Sequence, residues 1–272
     1  MKKKKILMLS DHALSTSGVG CQSRFLINGL VEKGCWTVRQ FGAAIKHEDY
    51  NTVAINDDFI IKPIDGFGSR ELIIQALVTE KPDVLLIFTD PRFFVWLWEI
   101  ADEIKQVCPI AYWHVWDNAP YPEFNSAYYE STDLINCHSH MTYKLIKDET
   151  ESTVNFIPHA LPEDIFYKLN EEQISEAKNS VLGVERSDDF VLFWINRNAR
   201  RKRPGDVLLA WKNFIELNKE KFKNDRVPAT LLMHTDPYDH EGPNLVKMSE
   251  QLGIVDNVLF SNQRIGFEKI NI

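Results

Sequence analysis

Short apolar runs alternate along this chain with longer stretches whose apolar residues recur at three- and four-residue intervals. Lys5–Leu9 predicts a strand, followed by a glycine-containing turn and a helix from Val19 to Lys33 that Gly34 can end. Thr37–Ala43 and Val53–Ile61 each predict a strand, Arg70–Glu80 a helix, and Asp83–Phe88 a strongly apolar strand. Phe93–Gln106 reads as a helix that is apolar around most of its circumference. Pro109–Trp113 and Asp133–Cys137 read as strands, a helix follows near Met141–Lys147, and Thr153–Ile157 closes the series. Regular alternation of this kind implies βαβ units, and so an α/β fold with a parallel sheet covered by helices on both faces.

The pattern breaks at Pro158–Pro162, where two prolines interrupt it. A charged helix, Glu171–Leu182, precedes a second series. Phe190–Ile195 reads as a buried strand, and Asp206–Leu217 has apolar positions at helical spacing. Ala229–Met233, a helix over Leu245–Leu252 and Asn257–Phe260 complete it. The expected domains are residues 1–165 and 166–272. The second series stops after roughly three strands, where such sheets commonly have about five to six. Glu268–Ile272 reads as the approach to another helix, so the second domain is expected to be incomplete and the chain a fragment.

A length of 272 residues suits two domains of about 100–150 residues. The apolar content of 44% and charged content of 26% are ordinary for a soluble globular protein. Lys2–Lys5 precede only four apolar residues, too few for an export signal, and the patch Phe93–Trp98 is too short to span a bilayer. The four cysteines lie far apart with no CxxC pair, which predicts reduced thiols and a cytoplasmic protein.

Against a formal net charge of -8, five of the seven residues from Arg197 to Arg203 are basic. They lie between a strand and a helix, where open α/β sheets bind anions on helix N-termini. A small phosphorylated ligand fits better than nucleic acid, because the rest of the chain would repel a polyanion. Ser17–Gly20, after the first strand, lets backbone N–H groups approach a ligand, although the spacing is not GxGxxG. His114 follows the strand Pro109–Trp113 and can donate a hydrogen bond there. His138 with His140, and the cluster His234–His240, raise a metal, but neither has a compact ligand spacing and none is expected. The aromatic patch at 93–98 suits either peripheral membrane contact or, more readily, a helix packed inside the fold.

Taken in order, these segments resemble the GT-B glycosyltransferases, in particular the large retaining family 4. Ser17–Gly20 is similar to that family's opening glycine loop, and Tyr112–Asp117 to its His-containing turn after a central strand. Asn155–Phe166 is similar to its interdomain segment, with His159 and Ala160 in place of Asn-Gly. Asn196–Pro204 is similar to the donor-domain segment in which an Arg and a Lys, five apart, hold the donor diphosphate; here these are Arg197 and Lys202. The resemblance implies two Rossmann-like domains, the second incomplete, because the family's paired glutamates are not reached.

It also implies transfer of a sugar from a nucleotide-sugar donor to a glycan, lipid-linked or small-molecule acceptor, with retention. Arg197, Lys202 and His114 would be catalytic. Gly18, Gly20 and His234 would join Arg197 and Lys202 at the donor, with Ser17 and Asp117 on the acceptor side. No cofactor, metal or nucleic acid is implied. The alternative reading is a catalytically inactive nucleotide-binding or interaction module. A nicotinamide oxidoreductase is disfavoured by the missing fingerprint.

Overall fold

The computed structural model describes residues 2–44, 50–222 and 226–261. The chain divides into two compact units, Met1–Pro162 and Glu163–Ile272.

The first unit runs β1 (Lys4–Asp11), α1 (Gly18–Glu32), β2 (Trp36–Ala43), β3 (Val53–Asn56), β4 (Phe59–Pro63), α2 (Arg70–Glu80) and β5 (Val84–Phe88). It continues through α3 (Val95–Trp98), α4 (Ala101–Lys105), β6 (Ile110–His114), α5 (Ser126–Glu130), β7 (Leu134–Cys137), α6 (His140–Ile146) and β8 (Thr153–Phe156). One sheet results, in the order β3-β4-β2-β1-β5-β6-β7-β8. Every pairing is parallel except β3 with β4. Successive strand residues point to opposite faces, so each central strand feeds two cores. Leu7, Leu9, Leu85, Ile87 and Tyr112 pack on one face with Ile73 and Leu77 of α2 and Leu97 and Ile104 of α3 and α4. Ile6, Met8, Leu86, Phe88 and Trp113 pack on the other with Ile27 of α1.

In the second unit come α7 (Glu171–Leu182), β9 (Phe190–Ile195), α8 (Pro204–Lys219), β10 (Ala229–His234), α9 (Leu245–Leu252) and β11 (Val258–Phe260). Its described strands form a parallel sheet in the order β11-β10-β9. Leu208, Trp211 and Ile215 of α8 pack with Leu231, Met233 and Leu245. At the opposite end of β9, Asp189 accepts from both terminal nitrogens of Arg226 and from the Thr230 hydroxyl, closing a buried clamp.

Three expectations change. Val53–Ile61 is a hairpin, because the Asn56 side chain accepts from the N–H groups of Asp58 and Phe59 at 3.0 and 2.9 Å and turns the chain. Phe93–Gln106 is not one helix. Asp90 caps a short turn over Pro91–Phe94, non-helical dihedrals at Phe94 separate that turn from α3, and those at Ile100 separate α3 from α4. Most of the segment is core, with Phe94, Leu97, Trp98, Ile100 and Ile104 buried, while Phe93 and Val95 are exposed. β9 is not a buried strand; Phe190, Phe193 and Ile195 are 58%, 47% and 58% exposed. Among the described residues it pairs only with β10, and burial comes from neighbours, not from the strand's own apolar content. Glu268–Ile272 lie outside the described residues. No described helix is long and apolar enough to cross a membrane.

Candidate functional site

At the carboxyl end of β1 the chain turns into α1, and Ser17 caps that helix by accepting from the Gly20 N–H at 2.9 Å. The Ser17 hydroxyl donates to the Asp11 carboxylate at 2.6 Å, and burial raises the Asp11 pKa. Behind this turn, Gln40 donates to the Ser10 hydroxyl at 2.6 Å and to the Asp11 carbonyl at 2.9 Å, and accepts from the Ala13 N–H at 3.1 Å. The turn is therefore pinned from the neighbouring strand, a network that the sequence pattern does not announce.

The two glycines of the turn differ. A Cβ at Gly20 would lie 2.2 Å from Ser15 Oγ and 2.6 Å from the His12 carbonyl oxygen, whereas one at Gly18 would meet nothing within 4 Å. Gly20 thus permits a close approach within the loop, and Gly18 is exposed at the helix start. Gly20→Ala is expected to lower stability by about 1–3 kcal/mol, the usual cost of overpacking. Gly18→Ala should leave the melting temperature within about a degree or two of wild type. Equal melting temperatures for the two variants would contradict this assignment.

His114 ends β6, but its ring is fully buried and faces inward. Nε2 lies 2.7 Å from the Tyr129 hydroxyl, and the ring packs edge-on against Tyr112 and Tyr129. Burial, reinforced by His138, lowers its pKa to about 3, so the imidazole is neutral. Its Nδ1 has no partner among the described residues. Asp117 stands exposed beyond it, in the segment after β6. His138 lies in the strand-to-helix turn and donates from Nδ1 to the His114 carbonyl at 2.8 Å, while His140 opens α6, so the two do not share a strand face. His138 stacks on His159 at 5.2 Å, and His159 in turn packs edge-on to Trp113 at 5.2 Å and Phe88 at 5.8 Å. His159, which stands where the resembling family carries Asn, thus closes over the ends of β5 and β6.

The second unit gathers its charge after β9. Arg197 donates from Nε to Asp239 Oδ2 at 2.7 Å and from Nη2 to Oδ1 at 3.3 Å. A short 3-10 turn over Arg200–Lys202 follows, and Arg203 sits in the left-handed region at φ 54° immediately before Pro204, the first residue of α8. Left-handed backbone at a non-glycine residue ahead of proline is strained, and this residue lies within the charged loop. Arg203 pairs with Asp206. Arg200, Arg201 and Lys202 have no carboxylate partner among the described residues, so the loop keeps a positive surplus. Lys202 is half-buried. His234, at the end of β10, approaches the Ser261 hydroxyl at 2.6 Å through Nδ1, and burial lowers its pKa. Within the His234–His240 cluster, Asp236 accepts from the Tyr238 N–H and Asp239 from Arg197, while the His240 side chain is exposed. No group of three or more His, Cys, Asp or Glu residues able to hold a metal occurs among the described residues.

No protein-family model matches this sequence, and no curated protein sequence matches it. Solved structures do. Sucrose-phosphate synthase from Thermosynechococcus elongatus superposes with a TM-score of 0.69 at 13% identity, over 96% of this chain and 71% of that one. The E. coli trehalose-6-phosphate protein bound with UDP-2-fluoro glucose gives 0.60 at 10% identity, over 97% and 74%. A UDP-forming trehalose-phosphate synthase from Burkholderia xenovorans in complex with glucose-6-phosphate gives 0.59 at 12%, over 97% and 75%. The chain has the GT-B fold. In this GT-B chain, the sequence shows Asp239 only as a member of the His234–His240 cluster and gives no sign that it pairs with Arg197. It likewise gives Asp11 and Gln40 no signal beyond their places near a strand end.

Proposed function

We propose that this protein transfers a sugar from a nucleoside-diphosphate sugar to an acceptor hydroxyl, with retention of configuration. The observation that carries the reading is the cationic loop at the carboxyl end of β9, which presents Arg197 and Lys202 from one turn in a chain of GT-B fold. When the bond from the anomeric carbon to the diphosphate breaks, negative charge grows on the leaving oxygens. Fixed cations grip that charge more tightly in the transition state than in the ground state, which lowers the barrier. Arg197 and Lys202 are the residues assigned to this role, with the second unit as the donor side. His234 is assigned a place beside the donor.

Ser17 and Asp117 are assigned to the acceptor side, in the first unit. Gly20 shapes that turn, and Gly18 leaves its exposed backbone open to a ligand. His114, expected to be catalytic, is fully buried with Nε2 against the Tyr129 hydroxyl, so its proposed part is to act from behind the strand end and not by touching the sugar. The solved neighbours bound with UDP-2-fluoro glucose and with glucose-6-phosphate support a uridine-nucleotide donor and a small phosphorylated sugar acceptor for this chain.

A panel of nucleotide-sugars offered with sugar phosphates is the test. One donor is expected to release its nucleoside diphosphate in an acceptor-dependent way, at a rate that EDTA leaves unchanged because the cations are the protein's own. Loss of the rate to EDTA and its return with manganese would contradict a metal-free mechanism. Tight nucleotide binding with no turnover of any donor would favour an inactive binding module instead.

A further inference from the structure

An arginine can meet a carboxylate end-on, through both Nη atoms, or side-on, through Nε and one Nη. Asp239 takes Arg197 side-on, through Nε and Nη2. The outer edge of the guanidinium, Nη1 and the second hydrogen of Nη2, is left for another acceptor, on a side chain that is 59% exposed. Asp239 itself is only 14% exposed, and its Oδ1 also accepts from the Glu241 N–H at 3.0 Å. The Gly242 N–H donates to the Asp239 carbonyl at 3.1 Å.

This turn is also tied to the loop that carries Arg197. The Arg200 N–H donates to the Glu241 carbonyl at 3.2 Å, and the Asn198 amide donates to the Pro243 carbonyl at 2.9 Å. Gly242 approaches so closely that a Cβ there would lie 2.0 Å from Asn198 Oδ1. The carboxylate and the guanidinium are thus held on two interlocked loops, rather than meeting as two free surface side chains.

We propose that Asp239 is a positioning residue: it holds the Arg197 guanidinium side-on so that its outer edge meets two oxygens of the donor diphosphate. The inference rests on the donor reading of Arg197 given above. Its rival is a competing ion pair that phosphate must displace, and the two predict opposite signs. Removing a carboxylate beside an anion site favours the anion by simple Coulomb attraction. Loss of a pre-organised fork disfavours it.

Inorganic pyrophosphate, which carries the diphosphate without base or sugar, is titrated by calorimetry into the 272-residue protein and its variants. Asp239→Asn keeps an oxygen for the Glu241 N–H and adds one unit of positive net charge. The expected result is nonetheless about tenfold weaker binding. In an Arg197→Ala background the same substitution should cause no further loss, which a general weakening of the loop would not reproduce. Equal or tighter binding by Asp239→Asn overturns the inference, as does an equal loss in the Arg197→Ala background. Should Asp239→Asn melt early, Asp239→Glu carries the test at unchanged net charge: weaker binding is expected, and wild-type binding overturns the proposal. If the wild-type protein binds neither pyrophosphate nor any nucleoside diphosphate, the donor reading fails. If it binds, and only Arg197→Ala loses the ligand, the positioning role alone fails.

Discussion

Alanine at Arg197 or at Lys202 is expected to lower kcat/KM for the nucleotide-sugar roughly ten- to two-hundred-fold, the range set by one charge-assisted contact to an ionised group. The contact strengthens as the leaving diphosphate gains charge, so kcat itself should fall, and KM alone should not absorb the loss. The neighbours are expected to behave differently. Arg203 is engaged by Asp206 three residues on, and Arg200 contributes its backbone N–H to the Glu241 carbonyl, so alanine at either should change kcat/KM only a few-fold. Steady-state kinetics on the four single variants separates the outcomes. Equal losses at all four positions would mean a diffuse cationic surface rather than a two-residue clamp. No loss at Arg197 and Lys202 would remove the main argument for glycosyl transfer.

The second large effect is acid destabilisation of the first unit. The folded-state pKa of His114 is depressed to about 3, while the unfolded chain titrates near 6.5. Below pH 6.5 the unfolded state therefore takes up a proton that the native state refuses. The stability is fully present above that pH and is lost at about 1.4 kcal/mol per pH unit as the pH falls toward 3. His159, lowered by burial and by His138, acts in the same direction, whereas the raised pKa of Asp11 opposes it. Urea unfolding followed between pH 8 and pH 4 reads the slope. His114→Gln places an amide near the position of Nε2 and cannot titrate, so its slope should be smaller by about one proton. Identical slopes in the two proteins would contradict a neutral, buried His114.

Much of this fold is written in local pattern. β1 and β5 are near-continuous apolar runs because a central parallel strand is covered on both faces, and such runs read the same in sequence and in space. The hairpin at Val53–Pro63 also carries local turn chemistry, Asn56 followed by two aspartates, set between apolar residues that continue the strand pattern on either side. Other features have no local signature. The apolar content of β9 cannot say whether a neighbour lies beside it. Gly18 and Gly20 look alike two positions apart, yet only Gly20 has Ser15 and the His12 backbone against it.

The same limit governs the candidate site. His114 was visible as a histidine at a strand end, but which way its ring faces depends on Tyr129, which lies in a separate helix fifteen residues on. Arg197 stood out by charge. Its partner Asp239 is forty-two residues away, and only the interlocking of the loops after β9 and β10 brings the two together. Local composition thus marked the cationic loop, and tertiary structure alone supplied the carboxylate that orders it.

The most direct test of the donor assignment is a calorimetric comparison of nucleoside diphosphates with their parent nucleosides on the 272-residue protein. At least one diphosphate should bind about tenfold or more tightly than its nucleoside, and alanine at both Arg197 and Lys202 should erase that difference while leaving nucleoside affinity unchanged. Equal affinity for diphosphate and nucleoside, or a difference that survives loss of both cations, would contradict the assignment of this loop to the donor diphosphate.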